Sequence, residues 1–294
     1  VYGGDLGLVY AGMSAVMLGF YLFAIKRYFS AYPAPVYVSF TYASSLLWYV
    51  PIALLSVDGS YLPADDGWTG AAVLAFVVVG TVVAVLASFR AIAVGDVSYV
   101  APISKLVPVF VIPVEVAVFG QRLTPLQTAG IVVATAAVYV ANYERGALLE
   151  PLIRAARSRP AQLALLSAAA FGVTDVGKRA LTQELGVPPA SVNLVLFVGV
   201  ALALAPLAIR RIPDGLRRAD AGRFLALGLL LAVAEHFVML SFAALPASLA
   251  SPIINSSAVF AVVLGGVLLD EDALRVRLGA AALAIAGVTM IAIG

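Results

Sequence analysis

The candidates for chemistry inside the long apolar runs of this chain are the ionisable residues Arg90, Lys105, Glu115, Asp175, Glu235 and His236. Even on lenient scales a charge at the centre of a hydrocarbon layer costs about 2.5–3.5 kcal/mol, so such groups pair with one another or face a wet cavity. Lys105 lies roughly 8 residues, or about 12 Å at 1.5 Å per residue, into its run. It stands between Pro102 and Pro108, too deep for easy snorkelling. An ammonium there can hold the carboxylate or phosphate of a bound molecule, or pair with Glu235 or Asp175 in the empty state. Glu235 and His236 are adjacent near the middle of another run, so they point about 100° apart on a helix. A carboxyl in apolar surroundings and an imidazole are the two groups best suited to exchange protons near physiological pH. Both are candidates for proton coupling and for a place at the cavity. Glu115, four residues from the end of its run, is a third coupling candidate, within reach of interfacial water. Asp175 is three residues from Lys178 and four from Arg179, a spacing that equally permits an intrahelical salt bridge. Arg90, near the end of its run, can snorkel.

Only membrane-spanning helices can hold these residues where they are. Of 294 residues, 63% are hydrophobic and 12% charged, against a usual charged share of about 25%. The mean hydropathy is +1.04. Too little polar surface exists to cover such a globule in water. This excludes a soluble enzyme, a disordered chain and a nucleic-acid-binding module; the net charge of +2 points to no charged partner. With no cysteine and one histidine, disulfides, thiolate sites and multi-histidine metal sites are excluded, and no cofactor is expected. No P-loop pattern occurs, so ATP is not expected to drive the protein directly. The chain starts at Val1 rather than a methionine, so the natural protein is expected to begin earlier.

A helix needs about 20 apolar residues to cross a bilayer. Ten runs approach that length: 6–25, 34–57, 69–92, 97–119, 125–142, 161–180, 190–209, 222–245, 248–269 and 275–293. The first is too long for a signal-peptide core of about 7–15 residues. The expected fold is all-α, with ten transmembrane helices. Of the 18 basic residues, 13 fall in loops 1–2, 5–6, 7–8 and 9–10. Basic loops stay in the cytoplasm, which places both termini outside. The acidic loop 2–3, with Asp58, Asp65 and Asp66, agrees.

The chain repeats itself at an offset of 150. Ser98-Tyr-Val-Ala-Pro102-Ile103 falls on Ser248-Leu-Ala-Ser-Pro252-Ile253, and Val109-Phe110 on Val259-Phe260. Gln121 falls on Glu271, Lys105 on Asn255, and, one gap later, Gly130 on Gly279. Two similar halves with five spans each must insert in opposite directions, the inverted repeat of many secondary transporters. The basic segment 143–160 joins the halves, expected as 1–145 and 146–294. Pro102, Pro108 and Pro113 recur in the fourth span, which is expected to be irregular and to line the path, with its mate kinked at Pro252.

These residues carry a resemblance. The segments Ala101-Pro-Ile-Ser-Lys-Leu-Val-Pro-Val-Phe110 with Gly120-Gln-Arg-Leu-Thr124 and Gly130, and Ser251-Pro-Ile-Ile-Asn-Ser-Ser-Ala-Val-Phe260 with Leu269-Asp-Glu-Asp272 and Ala281 to Gly287, resemble the EamA-type branch of the drug/metabolite transporter superfamily. The resemblance covers nearly the whole chain. It implies two inverted five-helix repeats around a central cavity that opens alternately to each side, and export or import of amino acids, metabolites, drugs or sugar derivatives. It places Tyr21 and Tyr99 on helices around the path, as substrate contacts beside Lys105, Asn255, Glu235, His236 and Asp175. It also implies a basic loop 2–3 and cytoplasmic termini, opposite to the charge count.

The expected function is secondary active transport of small polar metabolites, as an amino-acid or metabolite exporter in the plasma (inner) membrane. Its partners are a small-molecule substrate, the bilayer and, as a candidate coupling ion, the proton; a monomer and a homodimer are both open. The rivals are a membrane-embedded enzyme acting on lipid-linked substrates, for which Glu235-His236 would be the catalytic pair, and a passive channel or scramblase.

Overall fold

The computed structural model describes residues 2–56, 67–94, 100, 103–141, 158–212, 218–268 and 274–294. Tyr99, Pro102, Glu271, the acidic loop 2–3 and the boundary between the halves at 145/146 lie outside the described residues. Lipid cannot satisfy free backbone amides, so apolar runs of this length fold as helices. They are α1 (Tyr2–Tyr28), α2 (Ala34–Ser56), α3 (Gly67–Val94), α4 (Val107–Phe119), α5 (Pro125–Ala141), α6 (Arg159–Arg179), α7 (Pro189–Ile209), α8 (Arg218–Ala244), α9 (Ala247–Asn255), α10 (Ser257–Leu268) and α11 (Leu274–Ile293). A π-helical turn, Ala180–Glu184, prolongs α6. Counting α9 and α10 as one crossing gives ten.

Among the described residues six crossings are long and apolar enough to span a membrane by themselves: α1, α2, α3, α7, α8 and α9 with α10. Residues 107–119, 125–137 and 278–293 form shorter apolar helices. α6 is long, but Gln162, Asp175, Lys178 and Arg179 lower its hydropathy. The three charged ones, Asp175, Lys178 and Arg179, are buried, so neighbouring helices shield them from lipid.

Helix packing obeys a two-fold exchange of the halves. α3 packs on α6 as α1 packs on α8; α4 packs on α6 as α10 packs on α1; α2 pairs with α7, and α5 with α11. One atomic contact is repeated almost unchanged. A Cβ added at Gly172 would lie 2.8 Å from Phe110 Cβ, 3.1 Å from the Val107 oxygen and 3.2 Å from the Val111 nitrogen. A Cβ added at Gly19 would lie 2.5 Å from Phe260 Cβ, 3.2 Å from the Ser257 oxygen and 3.4 Å from the Ala261 nitrogen. These partners are related by the offset of 150, and the two glycines by 153. Thus α1 and α6 also belong to the repeat, which their sequences alone do not reveal.

The fourth and ninth crossings are both broken, at matching places. Helix stops at Lys105-Leu106 in one and at Ser256 in the other. The tight turn is the same: Leu106 donates to the Ile103 carbonyl at 3.1 Å, and Ser256 to the Ile253 carbonyl at 3.1 Å. Pro108 then sits in the first turn of α4, where a missing amide costs no helical hydrogen bond. The second half has Ala258 at that position and breaks all the same. Pro252 lies inside α9, four residues before the break. The discontinuity therefore does not depend on Pro108; in the sequence Pro102 and Pro252 each stand four residues before it.

Overpacking of a tight contact typically destabilises by about 1–3 kcal/mol. Gly19→Ala and Gly172→Ala are each expected to lower the melting temperature of the purified protein. Gly12→Ala, where an added Cβ meets nothing within 4 Å, should leave it unchanged. Equal melting curves for all three, read by intrinsic fluorescence, would contradict the packing described.

Candidate functional site

A cavity of about 400 Å³ lies where the two broken crossings face α1, α6 and α8. Its walls are mostly apolar, from Leu18 and Leu22 of α1, Ile92 of α3, Phe171 of α6 and Leu231, Val238 and Phe242 of α8. Tyr21, Tyr42, Lys105, Asp175, Lys178, Glu235 and Asn255 bring polar groups to it. The break in each inverted half delivers one of them. Lys105 stands at the first break and Asn255 at the second, so one fold feature holds an ammonium on one side and an amide on the other.

The polar groups differ in whether they are already paired. Lys178 Nζ donates to Asp175 Oδ1 at 3.2 Å and lies 5.7 Å from the centre of the Phe242 ring. Ser251 Oγ donates to Asp175 Oδ2 at 2.8 Å, and Asn255 Nδ2 donates to the Ser251 carbonyl at 2.9 Å. A chain from Asn255 through Ser251 and Asp175 to Lys178 thus ties the ninth crossing to α6. Asp175 is both the intrahelical salt-bridge partner that its spacing allowed and a cavity residue. By contrast, neither Lys105 Nζ nor the Glu235 carboxylate has a hydrogen bond or an ion pair among the described residues. Both face the cavity. Lys178 and Asp175 line the same cavity as Glu235.

His236 points elsewhere, as the angle between adjacent helical residues requires. Its Nδ1 is 2.9 Å from the hydroxyl of Tyr49, which is fully buried. Asn193 Nδ2 donates to that hydroxyl at 3.1 Å and to the Glu235 carbonyl at 2.8 Å. Because the Tyr49 oxygen accepts from Asn193, its own proton is available for His236 Nδ1. This network joins α2, α7 and α8 behind the cavity wall and fixes where Glu235 stands.

Glu115 is also placed away from the cavity. It is fully buried rather than at interfacial water. Its Oε1 accepts the amide of Ala247 at 2.6 Å and its Oε2 the amide of Ser248 at 2.6 Å. These are the first amides of α9, whose positive end suits an anion. Arg179 Nε stands 3.5 Å from Glu115 Oε1, and the guanidinium lies 4.0 Å over the Phe119 ring. Hydrogen bonds to a charged group contribute about 1.5–3 kcal/mol each, so this cluster anchors three crossings, the fourth, sixth and ninth, at one end of the bundle.

The structure therefore brings together Lys105, Asn255, Tyr21, Glu235 and Asp175. It adds Lys178, which spacing had suggested only as an ion-pair partner, and Tyr42 from α2, one of an aromatic set (Tyr37, Phe40, Tyr42, Trp48, Tyr49) that is more often an interface belt or lipid packing. Trp48 of that set is 40% exposed and donates to the Leu225 carbonyl at 3.0 Å, so the set is split between cavity and surface.

A family model described as the EamA-like transporter family matches the chain twice, over residues 5–143 and 159–293. Among solved structures, one described only as "Crystal structure of protein" superposes with a TM-score of 0.79 at 17% identity. The match covers 98% of this chain and 97% of that one, and at such identity it bears on the fold alone. No curated protein matches.

Proposed function

Because the chain belongs to the EamA-like transporter family, a family of multi-pass membrane proteins that move small metabolites, we propose that its cavity carries small zwitterions, amino acids and related metabolites, by alternating access. One observation supports this most: an ammonium at Lys105 and a carboxylate at Glu235 face the same cavity with no ion-pair partner among the described residues. A volume of about 400 Å³ suits a small molecule. The cargo's acid group binds Lys105 and Asn255, and its amino group turns toward Glu235. The apolar wall of Phe171, Phe242 and the two tyrosines takes the remainder. Opposite charges fixed at two points make the site discriminate by charge pattern. A cargo lacking either group leaves one protein charge in a low-dielectric cavity without compensation.

Movement between the two faces follows from the inverted repeat, since each broken crossing can play the part the other plays in the opposite state. Export from the cytoplasm, coupled to a counter-moving proton on Glu235, is the proposed direction. Glu235 is preferred to His236, which is engaged by Tyr49, and to Glu115, whose two oxygens are taken by α9. The charge count favours basic loops in the cytoplasm and termini outside, in the plasma (inner) membrane.

Lys105→Ala is expected to weaken binding of a zwitterionic amino acid by about tenfold to a hundredfold, the loss of one charged hydrogen bond. Thermal-shift titration of the purified protein reads this directly, and unchanged affinity would remove Lys105 from the site. Glu235→Gln should flatten the pH dependence of flux into proteoliposomes while counterflow persists; a preserved profile would assign the proton to another group. Counterflow in the native chain also separates transport from a channel. A reporter fused to the C-terminus should be detected on the outer face, and a cytoplasmic signal would reverse the orientation.

A further inference from the structure

The cluster around Glu115 lies at the end of the bundle that carries both chain termini. Gly294 approaches Thr124 and Gln127 just beyond α4, and Gly7 approaches Ala244 and Leu245 at the end of α8. At this end the fourth, sixth, eighth and ninth crossings converge. Glu115 of the first half grips the start of α9 in the second half, and Arg179 closes over Phe119. On the π-helical turn beyond, Gln183 donates to the carbonyls of Phe242 and Leu245, both at 2.7 Å. Phe242 is itself a cavity wall. These contacts tie the fourth, sixth, eighth and ninth crossings together at this end.

The Glu115 side of this arrangement has no inverted mate. At the offset of 150, Glu115 falls on Gly265; at the offset of 153 set by Gly19 and Gly172, Arg179 falls on Lys26. Gly265 has no side chain to accept a hydrogen bond. The backbone is two-fold, whereas the Glu115 contact is not repeated at the other end, where Tyr32 and Arg223 both donate to Asp220 instead.

We propose that Glu115 and Arg179 form a lock that holds the cavity shut at the end of the chain termini, and that its release turns the cavity toward that side. This rests on the transport reading, because a lock has meaning only in a cavity that changes sides. Release separates Glu115 from the two α9 amides and frees the ninth crossing to swing at its break. Lys178 and Arg179 are consecutive, with Lys178 in the cavity and Arg179 in the lock. A cargo on Asn255, which is tied through Ser251 and Asp175 to Lys178, therefore acts on the residue next to the lock.

The chain has no cysteine, so a single Ile254→Cys change places one thiol in the cavity wall. The carrier chain is reconstituted in oriented vesicles and labelled with a membrane-impermeant maleimide from each face in turn. Adding Glu115→Gln turns an amide N–H toward the α9 amides. It is expected to raise the labelling rate from the termini face at least tenfold and to slow labelling from the other face. Glu115→Asp, which keeps the charge but shortens its reach, should act in the same direction and serves where the glutamine variant does not fold. Unchanged rates in a folded variant of either kind would overturn the lock. Labelling needs no cargo, so the two readings fail separately. Unlocking without any amino-acid binding keeps the lock and discards the cargo assignment, and binding with unaltered labelling does the reverse.

Discussion

Hydrocarbon cannot solvate a charge, and that constraint organises this molecule. Each ionisable group inside the bundle has one of two fates. Glu115, Arg179, Asp175 and Lys178 are paired, bonded and mostly removed from solvent. Lys105 and Glu235 are left facing a cavity. The first group gives the bundle its internal geometry. The second gives it something to bind. An arrangement in which Lys105 and Glu235 met each other would have been easier to bury but would have left no charge for a guest.

The inverted repeat supplies a symmetric frame, and side chains break the symmetry. The two tight turns, at Ile103–Leu106 and Ile253–Ser256, have the same hydrogen bonds. The residues they present differ: Lys105 in one, Asn255 in the other. The same holds at the ends of the bundle, where Glu115 faces an amide pair and its mate is a glycine. Two-fold backbone with one-fold chemistry gives a protein two related states that need not be equally populated.

Much of this was legible in the sequence, for identifiable reasons. Length and apolarity fix the crossings because lipid leaves the backbone no alternative to helix. The depth of Lys105 marked it, since no shallow-water escape exists at that position. Asn255 followed from the repeat, and the divergence of Glu235 from His236 from helical geometry. Glu115 was harder. Its distance from the end of its own helix says nothing about which helix start packs against it, and the start of α9 lies 132 residues away in sequence. The kinship of α1 and α6 rests on one glycine contact in each, invisible among so many alanines and leucines. Pro108 and Pro113 were poor guides to the break, because Ala258 and Val263 stand at their places in the second half and the break recurs there.

The pairing of α1 with α8 and α10 has a consequence for how the protein is made. α1 leaves the ribosome long before α8 and α10, and finds these permanent neighbours only after most of the chain that follows it has been threaded into the bilayer. Until then its small-residue face, including Gly19, is open to lipid or to chance partners. The nascent first half must wait, inserted but unassembled, and a translation arrest before the eighth crossing would strand it in that condition.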